Sequence, residues 1–264
     1  MIKKIAKISA FIAARSGSNR IPLKNLRLIK NKPLFYYLTS QALGSNKIEH
    51  LYMNTSSKDI ITATKDLFDN KVKIYKRSES LSTSDATLDQ YAYDFMQNIK
   101  CEYVLFLNPC SLFLTSETID KAINYFIQNN LDSMVACESI QTHIFKNNSG
   151  YNFNIDNLQP RSQDLPTLEI MTSGFFMWKS DSFIRSYNRN GYANFCGKFQ
   201  TYAIPKIEAI DIDSEEDFMF AKMVMECMEF TKNTTKSHSK HKLSSDDFYP
   251  GAWDKLRKGL IQPT

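Results

Sequence analysis

Residues 7–25 of the chain read KISAFIAARSGSNRIPLKN. The first part, Lys7–Ala13, is short and mainly apolar, which predicts a buried β-strand. The part that follows combines small residues with the cations Arg15, Arg20 and Lys24. Small residues allow backbone N–H groups to approach a phosphate closely, and cations neutralise its charge. These residues therefore predict a first strand that leads into an anion-binding loop.

Two other interpretations of this segment stay open at this point. The loop lacks the Gly-Lys-Ser/Thr ending of a Walker A loop and the spacing of a GxGxxG motif, so a basic surface turn is one alternative. The basic start and the apolar run also resemble a weak signal peptide. However, Lys7 shortens that run to Ile8–Ala14, which is at the lower limit for such a segment. We therefore favour the strand and loop.

The chain then alternates predicted helices and strands. Strands are expected over Ile48–Asn54, Val72–Tyr75, Tyr103–Leu107 and Ser133–Cys137. Helices are expected over Pro33–Leu43, Lys58–Phe68, Thr87–Asn98 and Ser116–Gln128. Repeated β-α units of this length predict a parallel sheet with helices on both faces.

The alternation changes near Glu138. Residues 138–180 contain no convincing helix, and Asn147–Asn157 is rich in Asn, Gly and aromatic residues, which is typical of a hairpin or excursion. Further elements are then expected: strands over Ile170–Trp178 and Phe199–Ile204, and helices over Ser180–Tyr187 and Glu215–Phe230. Ser214 and Asp217 resemble a capping box at the start of the last helix.

Composition excludes several classes of protein. The 264 residues are 42% hydrophobic and 23% charged, as in an ordinary globular protein of one or two domains. Seven basic and three acidic residues lie beyond residue 230, which leaves 26 basic and 25 acidic residues before it. This almost neutral body argues against a broad nucleic-acid-binding face. No apolar run is long enough to span a membrane, and the five scattered cysteines form no CxxC pair.

Four segments together resemble one known family, the acylneuraminate cytidylyltransferases, which activate sialic-type (nonulosonic) acids. The loop at 14–25 matches the family signature A-R-x-G-S-x-x-I/L-P-x-K-N, with matching residues at Arg15, Ser16, Gly17, Ser18, Pro22, Lys24 and Asn25. The stretches 77–87, 159–166 and 210–218 are similar to three further family segments, in the same order and at similar spacing. The resemblance covers about residues 5–229.

The resemblance implies a fold and a reaction. The expected fold is a three-layer α/β/α nucleotidyltransferase (Rossmann-like) domain over residues 1–230, with a small dimerisation excursion at 138–180. Residues 231–247 are expected to form a flexible linker and 248–264 an aromatic and basic tail. The implied reaction transfers CMP from CTP to the anomeric hydroxyl of a sugar acid and releases pyrophosphate, for surface glycan biosynthesis. A cytoplasmic homodimer is expected.

The same resemblance assigns site residues. Expected nucleotide-binding residues are Ala14, Arg15, Ser16, Gly17, Ser18, Lys24, Asn25, Arg77, Ser84 and Asp85. Arg15, Lys24 and Asp211 are expected to be catalytic. Asp211 and Asp213 stand two residues apart, which in a strand places both carboxylates on one face, suitable for Mg²⁺ or alternatively Mn²⁺. Expected substrate-binding residues are Asn108, Lys146, Arg161, Ser173 and Phe176.

Departures from the family pattern concentrate on the acceptor side. Residues 108–114 read NPCSLFL where the family usually has Q-P-T-S-P-L-R, and Ser173 replaces an Asn. On the nucleotide side, Ser84 replaces one Asp. We therefore expect CTP use to be retained and the acceptor to be altered, for example to a pseudaminic or legionaminic relative. The alternatives are a same-fold CTP-dependent enzyme with another acceptor, or a catalytically silent nucleotide-binding protein.

Overall fold

The structure is a computed structural model that describes residues 8–15, 17 and 20–235, with backbone only for 229–235. The strands in this part of the chain are β1 (Ile8–Ala13), β2 (Leu28–Ile29), β3 (Lys32–Pro33), β4 (His50–Thr55), β5 (Lys73–Lys76), β6 (Tyr103–Leu107), β7 (Ser133–Ile140), β8 (Phe145–Lys146), β9 (Ser149–Gly150), β10 (Leu168–Lys179) and β11 (Phe199–Ile204). The helices are α1 (Leu34–Leu43), α2 (Lys58–Phe68), α3 (Leu88–Asn98), α4 (Ser116–Gln128), α5 (Ser180–Asn190) and α6 (Glu215–Thr235). None of these helices is long and apolar enough to cross a membrane.

Seven of the strands form one sheet, in the order β11-β7-β10-β6-β1-β4-β5. Its strands run parallel except β10, which is antiparallel to both β6 and β7. The prediction of a parallel sheet is therefore wrong for this strand. The excursion after β7 returns the chain to the same edge of the sheet at which β7 ends, so the next strand runs back without a crossover helix.

Local sequence explains where the helices begin. The Ser57 hydroxyl accepts a hydrogen bond from the backbone N–H of Ile60 at the start of α2. Thr87 and Gln90 form a reciprocal capping box at the start of α3. The predicted bounds of α2 and α4 are confirmed, because short polar residues satisfy the free N–H groups of the first turn.

Apolar side chains cover both faces of the sheet. Phe35 of α1, Phe68 of α2 and Phe126 of α4 belong to the core cluster on one face. Phe95 of α3 and Phe183 of α5 belong to the cluster on the other face. This arrangement confirms the three-layer α/β/α fold.

Phe176, which was expected to bind substrate, lies instead in the core cluster that contains Phe95 and Phe183. It is 6% exposed, and its ring centroid is 5.6 Å from that of Trp178 and 6.3 Å from that of Phe106. Successive residues of a strand point to opposite faces. Phe175 and Phe176 of β10 accordingly fill the two core clusters on opposite faces of the sheet.

The excursion extends beyond the sheet. The last residues of β7 pair with the first residues of β10, from Leu168 opposite Ile140 onwards, and form the arm that carries the excursion. Strand β11 pairs with the other edge of β7 as far as Glu138. The connecting segment carries the β8–β9 hairpin, in which Asn147 and Asn148 have φ values of 51° and 63°. Two successive positive φ values are typical of a type I′ turn, which Asn tolerates well. The described residues of the excursion contain no α-helix, as predicted.

The chain divides into two compact units, residues 1–219 and 220–264. The sheet and the cleft described below lie entirely in the first unit. Two reciprocal hydrogen bonds cap the start of helix α6. The backbone N–H of Ser214 donates to the Asp217 carboxylate at 2.7 Å, and the backbone N–H of Asp217 donates to the Ser214 hydroxyl at 3.2 Å. The capping box predicted there is confirmed. The helix continues to Thr235, five residues beyond its predicted end, so residues 231–235 are helical and not part of the predicted linker. The rest of that linker and the predicted tail at 248–264 lie outside the described residues.

Candidate active site

The cleft lies where the sheet order reverses. Strand β1 pairs with β4 on one side and with β6 on the other, and both pairs are parallel. Loops that leave the carboxyl ends of such neighbouring strands diverge and open a crevice between them. Here the crevice is a cleft of about 380 Å³ lined by Ala13, Arg15, Gly17, Arg20, Lys24, Asn25, Ser84, Asn108, Pro109 and Cys110.

A smaller hollow of about 180 Å³ adjoins this cleft and shares Ala13, Arg15 and Ser84 with it. Arg77 and Tyr91 line its inner part. The Arg77 side chain is almost fully buried, its guanidinium carbon lies 5.0 Å from the Tyr91 ring centroid, and its Nε donates to the Ser82 hydroxyl at 3.3 Å. Burial lowers the pKa of Arg77, and the nearby Arg15 charge adds to this effect. Among the described residues no carboxylate forms an ion pair with Arg77, so this buried cation suits an electron-rich ligand.

Lys24 is anchored at the floor of the larger cleft. Its Nζ donates to the backbone oxygen of Ile212 at 2.6 Å and to Asp213 Oδ1 at 3.3 Å. Burial acts to lower the pKa of Lys24, but Cys110 and the Asp213 carboxylate outweigh burial, and the net effect raises it. Lys24 is therefore a cation at neutral pH, only 13% exposed, that faces the cleft.

Asn25 connects the loop to the rest of the cleft. Its Nδ2 donates to the backbone oxygen of Arg15 at 2.9 Å, and Arg15 Nη1 donates to the backbone oxygen of Thr83 at 2.9 Å. Asn25 Oδ1 is buried and has no hydrogen-bond partner among the described residues. Because an unsatisfied buried acceptor costs free energy, this oxygen suits a donor supplied by a ligand.

Asp211 and Asp213 approach the cleft from the loop between β11 and α6. This loop is not a strand, contrary to expectation, but Ile212 is fully buried between the two partly exposed aspartates. Asp213 Oδ1 accepts from Arg20 Nη2 at 3.0 Å and from Lys24 Nζ at 3.3 Å. Asp211 Oδ1 accepts from Asn108 Nδ2 at 3.4 Å. Burial, and then the charge of Asp213, raise the pKa of Asp211.

A buried carboxylate positions this loop. Glu208 is 7% exposed and accepts hydrogen bonds from the backbone N–H of Thr115 at 3.0 Å and from the Thr118 hydroxyl at 3.0 Å. These bonds attach the loop to the first turn of α4. The aspartates that follow Glu208 in sequence are thereby presented to the end of β6.

Several expected site residues lie elsewhere. Ala14 is fully buried and its N–H donates to the Asn54 carbonyl, so Ala13 rather than Ala14 lines the cleft. Lys146 and Arg161 are exposed on the excursion and line neither the cleft nor the hollow. Arg161 pairs with Asp164 at 2.7 and 3.1 Å.

Of the other predicted nucleotide-binding residues, some line the cleft and some lie outside the described residues. Ser84 lines the cleft, and its hydroxyl donates to the exposed Asp85 at 3.3 Å. Ser16 and Ser18 lie outside the described residues, whereas Gly17 lines the cleft. Sequence reasoning did not assign Cys110 or Tyr91 to the site, and it noted Arg20 as a loop cation without giving it a role. The position of Arg20 in the same loop as Arg15 and Lys24 could have identified it as a site residue.

This sheet order, with a cationic cleft at the reversal point, defines the class of Rossmann-like α/β nucleotidyltransferases. A solved structure of a CMP:2-keto-3-deoxy-manno-octonic acid synthetase in complex with CTP has the same fold, with a TM-score of 0.63 at 13% identity over 84% of this chain and 100% of that one. The chain belongs to the cytidylyltransferase family, whose family model matches residues 9–233.

Two named relatives are similar to most of this chain. The chain is 24% identical over 229 residues to a pseudaminic acid cytidylyltransferase of Campylobacter jejuni, covering 81% of this chain and 94% of the relative. It is 25% identical over 222 residues to an N-acylneuraminate cytidylyltransferase of Streptococcus agalactiae, covering 79% of this chain and 51% of the relative. The chain thus spans about half the length of the N-acylneuraminate enzymes it matches.

Proposed function

We propose that this chain transfers CMP from CTP to the anomeric hydroxyl of a nonulosonic, sialic-type acid and releases pyrophosphate, as a step of surface glycan biosynthesis. The observation that carries the proposal is the cleft, which Arg15, Arg20 and Lys24 all line and at which Arg20 and Lys24 contact Asp213. Membership of the cytidylyltransferase family supports CTP as the nucleotide. The names of the pseudaminic acid and N-acylneuraminate relatives support the class of acceptor.

In the proposed reaction the anomeric oxygen of the sugar acid attacks the α-phosphorus of CTP. The bond between this phosphorus and the oxygen that bridges to the β-phosphate breaks, pyrophosphate leaves, and the hydroxyl loses its proton. Such a transfer depends mainly on positioning and on neutralising charge. Arg15 and Lys24 would hold the triphosphate, and the hollow beside Arg77 and Tyr91 would receive the cytosine. Asn25 Oδ1, which has no partner among the described residues, would accept a hydrogen bond from the nucleotide.

Asp211 and Asp213 suit Mg²⁺, or alternatively Mn²⁺, as the metal of the reaction. Both are carboxylates near the same cleft, and after burial the charge of Asp213 is the next cause that raises the pKa of Asp211, which reflects their proximity. Mg²⁺ is usually bound by one or two carboxylates together with substrate phosphates and water. When bound, the ion would supply positive charge to the phosphate oxygens. The described residues contain no group of three or more His, Cys, Asp or Glu side chains arranged to hold a metal ion, so substrate phosphates and water would complete the coordination.

We further propose a cytoplasmic homodimer that pairs through the excursion. The excursion exposes apolar side chains, among them Phe145 at 63% and Leu158 at 96% exposure. Pairing there would cover this surface and would offer Lys146 and Arg161 to the partner's cleft, where an arginine suits a sugar carboxylate. The cytoplasm is proposed because CTP is made and held there.

Pyrophosphate release tests the reaction. The chain is incubated with Mg²⁺ and with one nucleotide at a time, which is CTP, UTP, ATP or GTP. Each nucleotide is tested with a panel of nonulosonic acids and with 2-keto-3-deoxy-manno-octonic acid (Kdo). We expect release with CTP and one nonulosonic acid. Asp211→Ala should nearly abolish it, whereas Asp181→Ala, an exposed carboxylate in the first turn of α5, should not.

The other outcomes separate the alternatives. Release only with an acceptor outside the nonulosonic acids would support the same-fold enzyme with a different acceptor, which the unusual residues Asn108–Leu114 favour. CTP binding without release for any acceptor would support a catalytically silent nucleotide-binding protein. Full activity of Asp211→Ala would contradict the metal assignment.

A further inference from the structure

The two aspartates of the cleft have partners of different kinds. Asp213 is held by the cations Arg20 and Lys24, with distances of 3.0 and 3.3 Å. Asp211 has only neutral donors among its described partners. These are Asn108 Nδ2 at 3.4 Å and the backbone N–H of Ile212 at 3.0 Å. Asp211 forms no ion pair within the part of the chain that the structure describes, although the nearby Lys24 charge acts to lower its pKa.

The side-chain amide of Asn108 is fixed at both ends. Its Oδ1 accepts from the backbone N–H of Cys110 at 3.2 Å, which leaves Nδ2 to donate to Asp211. The Asn108 backbone is fixed as well, because its N–H donates to the Gly174 carbonyl at 3.1 Å. These two bonds use one acceptor site and one N–H donor of the amide, and together they fix the orientation in which Nδ2 faces Asp211.

Ser173 lies on the strand next to β6, and its hydroxyl acts to lower the pKa of Asp211. It precedes Gly174 in the middle of β10, and the Asn108–Gly174 bond joins this part of β10 to the residue that follows β6. Asn108 and Ser173 are two of the positions at which this chain departs from the usual family residues. Both departures therefore converge on Asp211.

We propose that Asn108 and Ser173 are positioning residues, which hold the Asp211 carboxylate in the orientation that binds a divalent cation, rather than residues that contact the acceptor sugar. This inference rests on the metal role proposed above for Asp211. Neutral donors suit this task, because they orient a carboxylate without cancelling the negative charge that attracts the cation. Loss of such supporting hydrogen bonds around a metal ligand typically costs about 10- to 100-fold in metal affinity or activity.

The test measures how much a divalent cation strengthens CTP binding, without any sugar acid. The dissociation constant of CTP is determined by calorimetry with saturating Mn²⁺ and again in EDTA, and the ratio is the metal gain. We expect Asn108→Leu and Ser173→Ala to reduce this gain at least about tenfold while the affinity in EDTA changes less than about twofold. Ser173→Thr keeps the hydroxyl and should retain the gain, whereas Asp211→Ala should lose it.

The other results overturn the proposal. An intact metal gain in Asn108→Leu and Ser173→Ala would exclude positioning through Asp211, as would an equal loss of CTP affinity with and without the metal. A wild-type chain with no metal gain would exclude it as well. In turnover, positioning predicts a lower kcat at unchanged KM for the sugar acid, and a raised KM alone would contradict it. Because the binding test needs no acceptor, a wild-type chain that shows the gain but no turnover would refute the proposed reaction and leave this inference standing.

Discussion

The amino group of Lys24 lies between the Ile212 carbonyl and the Asp213 carboxylate, and its side chain is mostly buried. We expect Lys24→Met, which keeps the aliphatic stem, to weaken CTP binding about 10- to 100-fold, because a hydrogen bond to a charged group contributes about 1.5–3 kcal/mol. Calorimetric titration with CTP measures this change.

A second lysine provides the matched control. Lys121 is 64% exposed on α4, where it pairs with Glu117 one turn away. Such exposed pairs contribute little, so Lys121→Met should leave CTP affinity unchanged. Equal affinities for the Lys24 and Lys121 variants would remove Lys24 from the nucleotide site.

Cys110 lines the cleft as a neutral thiol. Burial raises its pKa to about 11, and the lowering effect of Lys24 does not reverse this. At pH 8 only about one molecule in a thousand then carries the reactive thiolate, against roughly one in four for a free cysteine. We expect iodoacetamide to label Cys110 slowly, with a rate that rises about tenfold per pH unit between pH 8 and 10.

Mass spectrometry of the alkylated peptides measures this rate. The exposed Cys227 serves as the internal reference for reagent quality. Bound CTP should slow the labelling of Cys110 further, because Cys110 lines the cleft. Labelling of Cys110 as fast as that of Cys227 at pH 8, or independent of pH, would show that the thiol is neither buried nor neutral.

The start of α4 depends on a residue far along the chain. Glu208 supplies acceptors for the backbone N–H of Thr115 and for the hydroxyls of Thr115 and Thr118. We expect Glu208→Ala to lower the free energy of unfolding by about 1–3 kcal/mol, because it leaves these buried donors unsatisfied. Urea denaturation followed by circular dichroism measures this change.

Glu117 is the matched control in the same turn of α4. It is exposed and pairs only with Lys121 among its described partners. Glu117→Ala should leave the free energy of unfolding almost unchanged. If Glu208→Ala and Glu117→Ala lower the free energy of unfolding by the same amount, the buried hydrogen bonds of Glu208 do not stabilise the junction between this loop and α4.

The helices and strands of the chain were predictable to a large extent. The predicted bounds of α2, α4, β6 and β11 are those observed. Caps and apolar periodicity depend on residues within one or two turns, so they are visible in the sequence. The direction of β10 was not predictable in this way, because it follows from the path of the excursion rather than from the residues of the strand.

The proposed homodimer depends on exposed apolar residues of the excursion, and substitutions there test it. Leu158 and Met171 of the excursion and its arm are 96% and 56% exposed. If this surface pairs, the double variant Leu158→Asp and Met171→Asp should convert a dimer into a monomer, because it places charge in an apolar interface. Light scattering coupled to size-exclusion chromatography measures the mass.

Tyr192, which is 67% exposed in the loop after α5, provides the control for an apolar residue elsewhere on the surface. Tyr192→Asp should remain dimeric. A monomeric wild-type chain, or a double variant that stays dimeric, would contradict pairing through the excursion. It would also leave Lys146 and Arg161 without the proposed role in a partner's cleft.

The sequence by itself determined the longer helices and strands and the class of fold, and it predicted the anion-binding loop with Arg15 and Lys24. These inferences depend mainly on residues that are close together along the chain. Only the tertiary structure decided that Arg20 reaches Asp213 across 193 positions and that Asn108 reaches Asp211 across 103. It also decided that Phe176 belongs to the core. These contacts form when distant strands and loops meet at one edge of the sheet, so no local pattern of residues encodes them.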